Sequence, residues 1–281
     1  MWLITGASSG LGKAIASNAL KEGYKVIGTT RNEEKARQGF PEFESNGGMW
    51  LSLDPGKEDA FDKMREFSNM YSIDVLVNNA GYAFIGGVED TSEEEIRSQM
   101  EVNFYGPLRL IRAILPQMRA KNSGNIVLIS SGAGFIARPA RATYSASKFA
   151  IEAIHESLSQ ELETFGVRVL VVEPGAFRTP FSSRILTPAQ IENPRGFSEA
   201  YKGTPVEQMV DATRSISSMS DHVKGDPEKA AQAIINAVEQ GHDYLRLPLG
   251  SDCVSALETK IAQLKSDLDK TRKIALSTDI S

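Results

Sequence analysis

Short aliphatic and β-branched runs alternate with amphipathic stretches along almost the whole chain, and this alternation limits the fold more than any other feature. The runs cover residues 2–5, 25–30, 49–53, 73–78, 125–130, 168–173 and 243–247. Between them apolar side chains recur at helical spacing: Ala14, Ile15, Ala19 and Leu20 ahead of Gly23, then Phe61, Met64 and Phe67, then Leu108, Ile111, Leu115 and Met118. A single apolar run does not separate a buried strand from a buried helix, but their regular alternation requires a parallel sheet covered by helices on both faces. With 41% hydrophobic and 24% charged residues, the chain has the apolar surface to bury such a core. No repeat or linker divides it, so residues 1–281 read as one domain. The irregular part is 181–226, rich in Ser, Pro, Gly and charge. A long, weakly patterned insertion in a compact domain reads as a substrate-covering flap. The acidic run from Glu89 to Glu95 reads as a helix start, with Thr91 or Ser92 as cap and acids suiting the dipole. Leu257, Ile261, Leu264 and Leu268 mark an amphipathic C-terminal helix over 254–276, expected to pack on its own domain, with an oligomer interface as the alternative.

Composition excludes several function classes. Lys and Arg number 31 against 36 Asp and Glu, a net charge of −5, the wrong sign for a nucleic-acid partner. Cys253 is the one cysteine, so no internal disulfide framework exists and a reducing compartment fits. His155, His222 and His242 stand far apart at no ligand spacing, so no metal centre is expected. No apolar run approaches the ~18 residues of a membrane span. Met1 to Ile4 lead straight into a glycine-rich turn rather than a signal peptide, and residues 277–281 carry no lipid or retention signal. The expectation is a soluble, metal-free, cytoplasmic protein with no membrane partner.

The glycine-rich turn is Thr5-Gly6-Ala7-Ser8-Ser9-Gly10-Leu11-Gly12, placed between the first strand and the first helix. Glycines let the backbone turn tightly and let a pyrophosphate approach, while free N–H groups and the helix dipole favour an anion. The spacing is Gly-x-x-x-Gly-x-Gly, so its position between strand and helix carries the dinucleotide reading. Cofactor choice is read at the end of the second strand, where an acid would bond a ribose 2′-hydroxyl and an arginine would favour a 2′-phosphate. The stretch is Ile27-Gly28-Thr29-Thr30-Arg31-Asn32, with no acid at the strand end and Arg31 directly after it. Arginine's planar fork suits a phosphate, and the expectation is NADP(H), with Glu33 and Glu34 nearby as opposing charges.

Tyr144-Ser145-Ala146-Ser147-Lys148 opens a helical pattern through Phe149, Ile151 and Ile154. Residues four apart share a helix face, so the phenol and the ammonium can enter one pocket. A neighbouring cation lowers a phenol's pKa toward the range useful for acid–base work. Taken with Asn78-Asn79-Ala80-Gly81, Asn103, Ser130-Ser131 and Pro174-Gly175 with Thr179, the pair resembles the short-chain dehydrogenase/reductase family over at least residues 2–179. The resemblance implies a Rossmann-type, doubly wound α/β fold of about seven parallel strands. It implies Tyr144 as general acid/base, Lys148 as the group that lowers its pKa and holds the nicotinamide ribose, Ser131 on the substrate oxygen, and Asn103 on a water behind Lys148. It implies cofactor contacts from Gly6, Ser8, Ser9, Gly10, Leu11, Gly12, Asn78, Gly81, Pro174, Gly175, Phe177 and Thr179. Asp54 falls where the family places an acid near the adenine, although Pro55-Gly56 departs from the usual continuation. His155 reads as a packing or surface residue. Homodimers or homotetramers through helices containing 108–118 and 149–162 are also implied.

The stretches that would face a substrate are mostly apolar: Tyr82, Ala83 and Phe84; Ala133 to Ile136, including Phe135; and Phe177 and Phe181. Arg138 and Arg141 are expected to face solvent. An apolar pocket with few polar groups suits a hydrophobic ketone, aldehyde or alcohol. The reading is an NADP(H)-dependent carbonyl reductase or alcohol dehydrogenase, with substrate contacts from Ser131, Tyr144, Phe84, Phe135 and Phe181. The alternative is an NADP-binding redox sensor without turnover.

Overall fold

In the computed structural model residues 1–191, 196–218 and 223–280 are described, so His222 and part of the 181–226 stretch lie outside the described residues. Seven strands among them pair in parallel: β1 (Trp2–Ile4), β2 (Val26–Thr30), β3 (Met49–Ser52), β4 (Val75–Asn78), β5 (Gly124–Ile129), β6 (Val167–Pro174) and β7 (Arg246–Leu249). Their order is β3-β2-β1-β4-β5-β6-β7. Side chains alternate across the sheet, so neighbours in sequence enter different cores. Trp2, Ile4, Val75, Val77 and Val172 pack against α1 (Gly10–Lys21) and α9 (Pro227–Gln240). Leu3, Leu76, Ile126 and Val169 face the opposite side, against α4 (Ala60–Met70) and α6 (Gly106–Lys121). A further helix on that side, α7 (Ala142–Glu161), packs Ile151 on Leu128 and Val171. The doubly wound α/β architecture expected from the alternation is present.

The seventh strand forms at Arg246–Leu249 rather than 243–247, because pairing with β6 sets its register from Val171↔Arg246 to Pro174↔Leu249. It is an edge strand, where Pro248 need offer no N–H to an outer neighbour. Ser92 caps α5 (Glu93–Met100) through a capping box with Glu95, so the acidic run is a helix start. Part of 181–226 is regular after all: α8 (Pro205–Ser218) lies within it. Ile185, Phe197, Tyr201, Val206, Met209 and Val210 pack on Ile85 and Ala140 in a small core of their own. Leu186 joins this segment to the loop after β4, accepting from Ile85 N at 2.9 Å and donating to Ala83 O at 3.0 Å.

The C-terminal helix, α10 (Ser251–Leu276), starts earlier than expected, and most of its length is exposed rather than packed on the domain. It is tied by its first turn, where Cys253 is buried and donates to the Glu173 carbonyl at 2.9 Å. Beyond that turn no side chain of it is buried. Among the described residues no helix is long and apolar enough to cross a membrane.

His155 lies wholly buried on α7, with Nδ1 against the Ile151 carbonyl at 2.8 Å and no partner for Nε2. Burial pushes its pKa down from 6.5 to about 4. The unfolded chain therefore takes up a proton that the fold refuses, and stability falls as pH drops through that window. His155→Gln removes this component. In urea unfolding, the loss of stability between pH 7 and pH 4.5 should be about 2 kcal/mol smaller in the variant than in the native chain.

Candidate active site

The loops at the carboxyl ends of β1, β4, β5 and β6 converge on one crevice. Gly6 and Gly10 adopt φ of +64° and +57°, a region strained for residues with a side chain. A Cβ on Gly12 would lie 2.4 Å from Asn79 Nδ2 and 2.6 Å from Gly6 O. Thr5 and Asn79 hold this loop to the end of β4. Thr5 Oγ1 accepts from the backbone N–H of Asn79 at 2.9 Å and of Ala80 at 2.8 Å, while Asn79 Nδ2 donates to Thr5 O at 2.8 Å. Ser9, at the start of α1, makes no side-chain cap, and the first turn holds no acid. The first N–H groups of α1 and its dipole are thus left to an anion. A cleft of about 460 Å³ opens there, lined by Ser8, Ser9, Gly10, Lys13, Arg178 and Pro180 among others. These residues fit a dinucleotide's pyrophosphate. Leu11 packs against the α1 core beside the loop.

Other cofactor candidates are placed as follows. Arg31 is exposed directly after β2. Of the two neighbouring acids, Glu33 is engaged by Arg37 at 2.9 Å, and Asn32 caps α2 (Glu33–Gly39) by accepting from Lys35 N. Asp54 Oδ1 accepts from Gly56 N at 3.0 Å, which closes the Pro55-Gly56 turn. A wider concavity of about 640 Å³ beside Asp54 is lined by Glu93, Glu94 and Glu101 together with Lys57 and Arg97, and it holds none of Ser131, Tyr144 or Lys148. Asn78 is buried with neither Oδ1 nor Nδ2 partnered. Thr179 lies against Gly10, with 3.4 Å to a Cβ built there. Pro174 ends β6 and Phe177 packs against Gly225. A Cβ on Gly175 would meet the Asp252 carboxylate at 2.2 Å, so this glycine makes room for Asp252, which accepts from Ala176 N at 2.8 Å.

Tyr144 and Lys148 stand one turn apart on the buried face of α7. Lys148 Nζ is 6.0 Å from the Tyr144 ring centre and donates to Ile129 O at 2.9 Å. Burial lowers its ammonium to about 8. The Tyr144 phenol is raised by burial, and the bond to Ser131 and the charge of Arg141 pull it back only in part. For the protein groups alone burial dominates, and the lowering expected of Lys148 was expected of it together with an oxidised nicotinamide's charge. Ser131 is the serine brought to Tyr144, whereas Ser130 donates to Glu152 on the other side. Asn103 sits in a π-turn, Glu101–Tyr105, a local widening that often marks functional sites. Its Nδ2 donates to Ser147 Oγ and to Tyr82 O, both at 3.0 Å, so it grips α7 between the tyrosine and the lysine. Gly81 leaves room for it, since a Cβ there would be 3.1 Å from Asn103 Oδ1.

Around Tyr144 the surface is apolar. Ala83, Ala133 and Ile185 pack with it, and the Phe181 ring lies 6.3 Å away. Phe135 is half-buried, while Phe84 is buried and pairs with Leu186 through its backbone. Arg141 does not face solvent as expected: it is half-buried, and Nη2 donates to Thr213 Oγ1 of α8 at 3.1 Å. Ile185, and Arg184, whose Nη1 donates to Ser9 Oγ at 2.9 Å across the cleft, were not anticipated. Only the fold brings the 181–226 segment over the glycine loop. Glu152 was also missed, although its place four residues after Lys148 is a legible signal.

A family model described as short chain dehydrogenase matches residues 1–189. Oxidoreductase claN of Passalora fulva is 46% identical over 210 residues, covering 74% of this chain and 93% of that protein. The crystal structure of a short-chain dehydrogenase from Streptomyces avermitilis aligns with a TM-score of 0.84 and 38% identity over 99% of both chains. A serine dehydrogenase in its closed form, complexed with NADP+, aligns with a TM-score of 0.73 and 26% identity over 88% of this chain and 93% of its own. The chain therefore belongs to the short-chain dehydrogenase family, and it is an oxidoreductase of that class.

Beneath the serine loop three acids share one cation. Arg246 of β7 pairs with Glu152, with Glu173 at 2.8 Å and with Glu156 at 2.8 Å. Glu152 and Glu173 are buried, and burial with the mutual charge of the two raises Glu173 to about 7. Removing the shared partner leaves buried charges uncompensated, a change that costs about 3 kcal/mol or more. Arg246→Met should lower the urea-unfolding free energy by that amount at pH 8. Part of the loss should return near pH 5.5, where the orphaned carboxyls take up protons.

Proposed function

We propose that this protein interconverts a hydrophobic ketone or aldehyde and the corresponding alcohol, with NADP(H) as redox partner. The observation that carries the reading is a buried Tyr144 one helical turn from Lys148, with Ser131 near enough to pull its pKa down, inside a lining of Ala83, Ala133, Ile185 and Phe181. When bound, the nicotinamide supplies or accepts a hydride. Tyr144 donates a proton to the carbonyl oxygen in reduction and takes it back in oxidation. Ser131 donates a hydrogen bond to the same oxygen, so the two hydroxyls together stabilise charge developing there. Lys148 stays cationic below its pKa of about 8, holds the ribose and favours the phenolate. Asn103 fixes the turn of α7 that carries both groups. The apolar lining excludes water and lacks a cluster of cations for an acidic substrate. The described parts of 181–226 act as the cover, since they pack on Ile85 and Ala140 at the rim.

Preference for NADP(H) is supported by exposed Arg31 after β2, by the engagement of Glu33 with Arg37, and by the NADP+ in the related serine dehydrogenase complex. A homo-oligomer built through α6 and α7 is supported by the exposed apolar surface of Phe149 on α7 and of Tyr105 in the turn that leads into α6.

Two measurements test this. Tyr144→Phe should lower kcat on a panel of apolar ketones and aldehydes by at least about 100-fold, with NADPH binding by fluorescence unchanged. Retained turnover would sink the assignment. Arg31→Asp should weaken NADPH by roughly ten- to a hundredfold, the range of a lost charge-assisted bond, and leave NADH within a few-fold.

A further inference from the structure

Among the described residues no side chain of α10 beyond its first turn is buried, and only Ala256, Leu257, Lys260 and Ser266 are half-buried. Its 26 residues span roughly 39 Å, yet only Cys253 is buried. Ile261, Leu264 and Leu268 are 57%, 55% and 51% exposed. In proteins most helical stability comes from packing of an amphipathic face, so these apolar side chains call for a surface. Their spacing indicates which kind. Val254, Leu257, Ile261, Leu264, Leu268, Thr271 and Ala275 follow one another by alternating steps of three and four. That is a strict seven-residue repeat, the narrow seam of a coiled coil, whereas a helix lying on a globular core carries a broader stripe.

The charges beside the seam choose the partner and its direction. One flank carries Glu258, Lys265 and Arg272, and the other carries Lys260, Asp267 and Ile274. Among the described residues Glu258, Lys260 and Asp267 are in no ion pair within the chain. In a parallel pair of identical helices each flank meets the opposite flank five residues further on, which sets Lys260 against Lys265 of the second copy, a repulsion that cancels the one favourable pair, Asp267 against Arg272. In an antiparallel pair with Ile261 against Leu264 of the second copy, Leu268 meets Leu257 and Val254 meets Thr271. The same register sets Lys260 beside Asp267 and Glu258 beside Lys265. A two-fold axis makes each of these favourable pairs occur twice.

We propose that α10 is an assembly element that pairs antiparallel with α10 of a second copy of this chain. The interface is separate from the α6–α7 face and from the catalytic crevice.

The full-length protein at about 10 μM, examined by light scattering and sedimentation, decides the matter. Leu264→Asp changes an exposed side chain, so the fold and any turnover should persist while the molar mass falls by half. Lys260→Glu should weaken association several-fold, and Lys260→Glu combined with Asp267→Lys should restore it. A monomeric native chain, or a mass unchanged by Leu264→Asp, overturns the proposal, even if that variant no longer binds anionic vesicles. Tighter association of Lys260→Glu alone would also overturn it, because a parallel pair gains by that change. Since these variants leave Ser131, Tyr144 and Lys148 untouched, failure here is distinguishable from failure of the proposed activity.

Discussion

β1 is hydrogen-bonded to β2 on one side and to β4 on the other, and the chain reaches these neighbours by winding in opposite directions. Every other placement in the crevice follows from that reversal. Loops leaving the carboxyl ends of two such strands part from each other, and a groove opens between them. Here the parted loops are the glycine turn after β1 and Asn79-Ala80-Gly81 after β4. Thr5 and Asn79 cross-link them with short hydrogen bonds, so the groove has a fixed width and α1 is aimed at it. The three glycines are consequences of the same geometry: two need a left-handed backbone, and Gly12 sits where a side chain would strike Asn79.

Polar groups below the groove are costly, and each catalytic candidate is held by one of them. Burying an ionised group without compensation would outweigh most single packing contacts. The fold answers with shared partners. Lys148 donates to Ile129 O, Glu152 accepts from Ser130 and Arg246, and Arg246 also bridges Glu173. Through this chain of contacts the last strand supports the serine loop, and the first turn of α10 is attached by Cys253 to the same carboxyl-bearing residue. The network raises specificity of arrangement more than stability, because its favourable pairing is spent against desolvation. Tyr144 shows the same balance, with burial exceeding the help from Ser131 and Arg141.

Much of this was legible in residues close together in sequence. Alternating runs gave the two-faced sheet, Ser92 with Glu95 gave a helix start, and Tyr144 with Lys148 gave a shared helix face. These depend on local periodicity and on hydrogen bonds between near neighbours. Misreadings occurred where contacts span long separations. The register of β7 was set by β6, and Arg141 was covered by α8. The 181–226 segment looked patternless because its apolar residues serve a small separate core. Arg184 could not be placed beside Ser9 by any local rule.

Taken alone, then, the sequence determined the fold class, the glycine turn between first strand and first helix, the tyrosine–lysine face and the amphipathic character of the last helix. Each is a repeat or a spacing that a single segment expresses. Only the tertiary structure decided which serine reaches Tyr144, how the phenol's burial outweighs its neighbouring charges, and that Ile261, Leu264 and Leu268 of α10 stay exposed. Those outcomes depend on solvent exclusion and on groups brought together from distant segments, and neither exists until the sheet has formed.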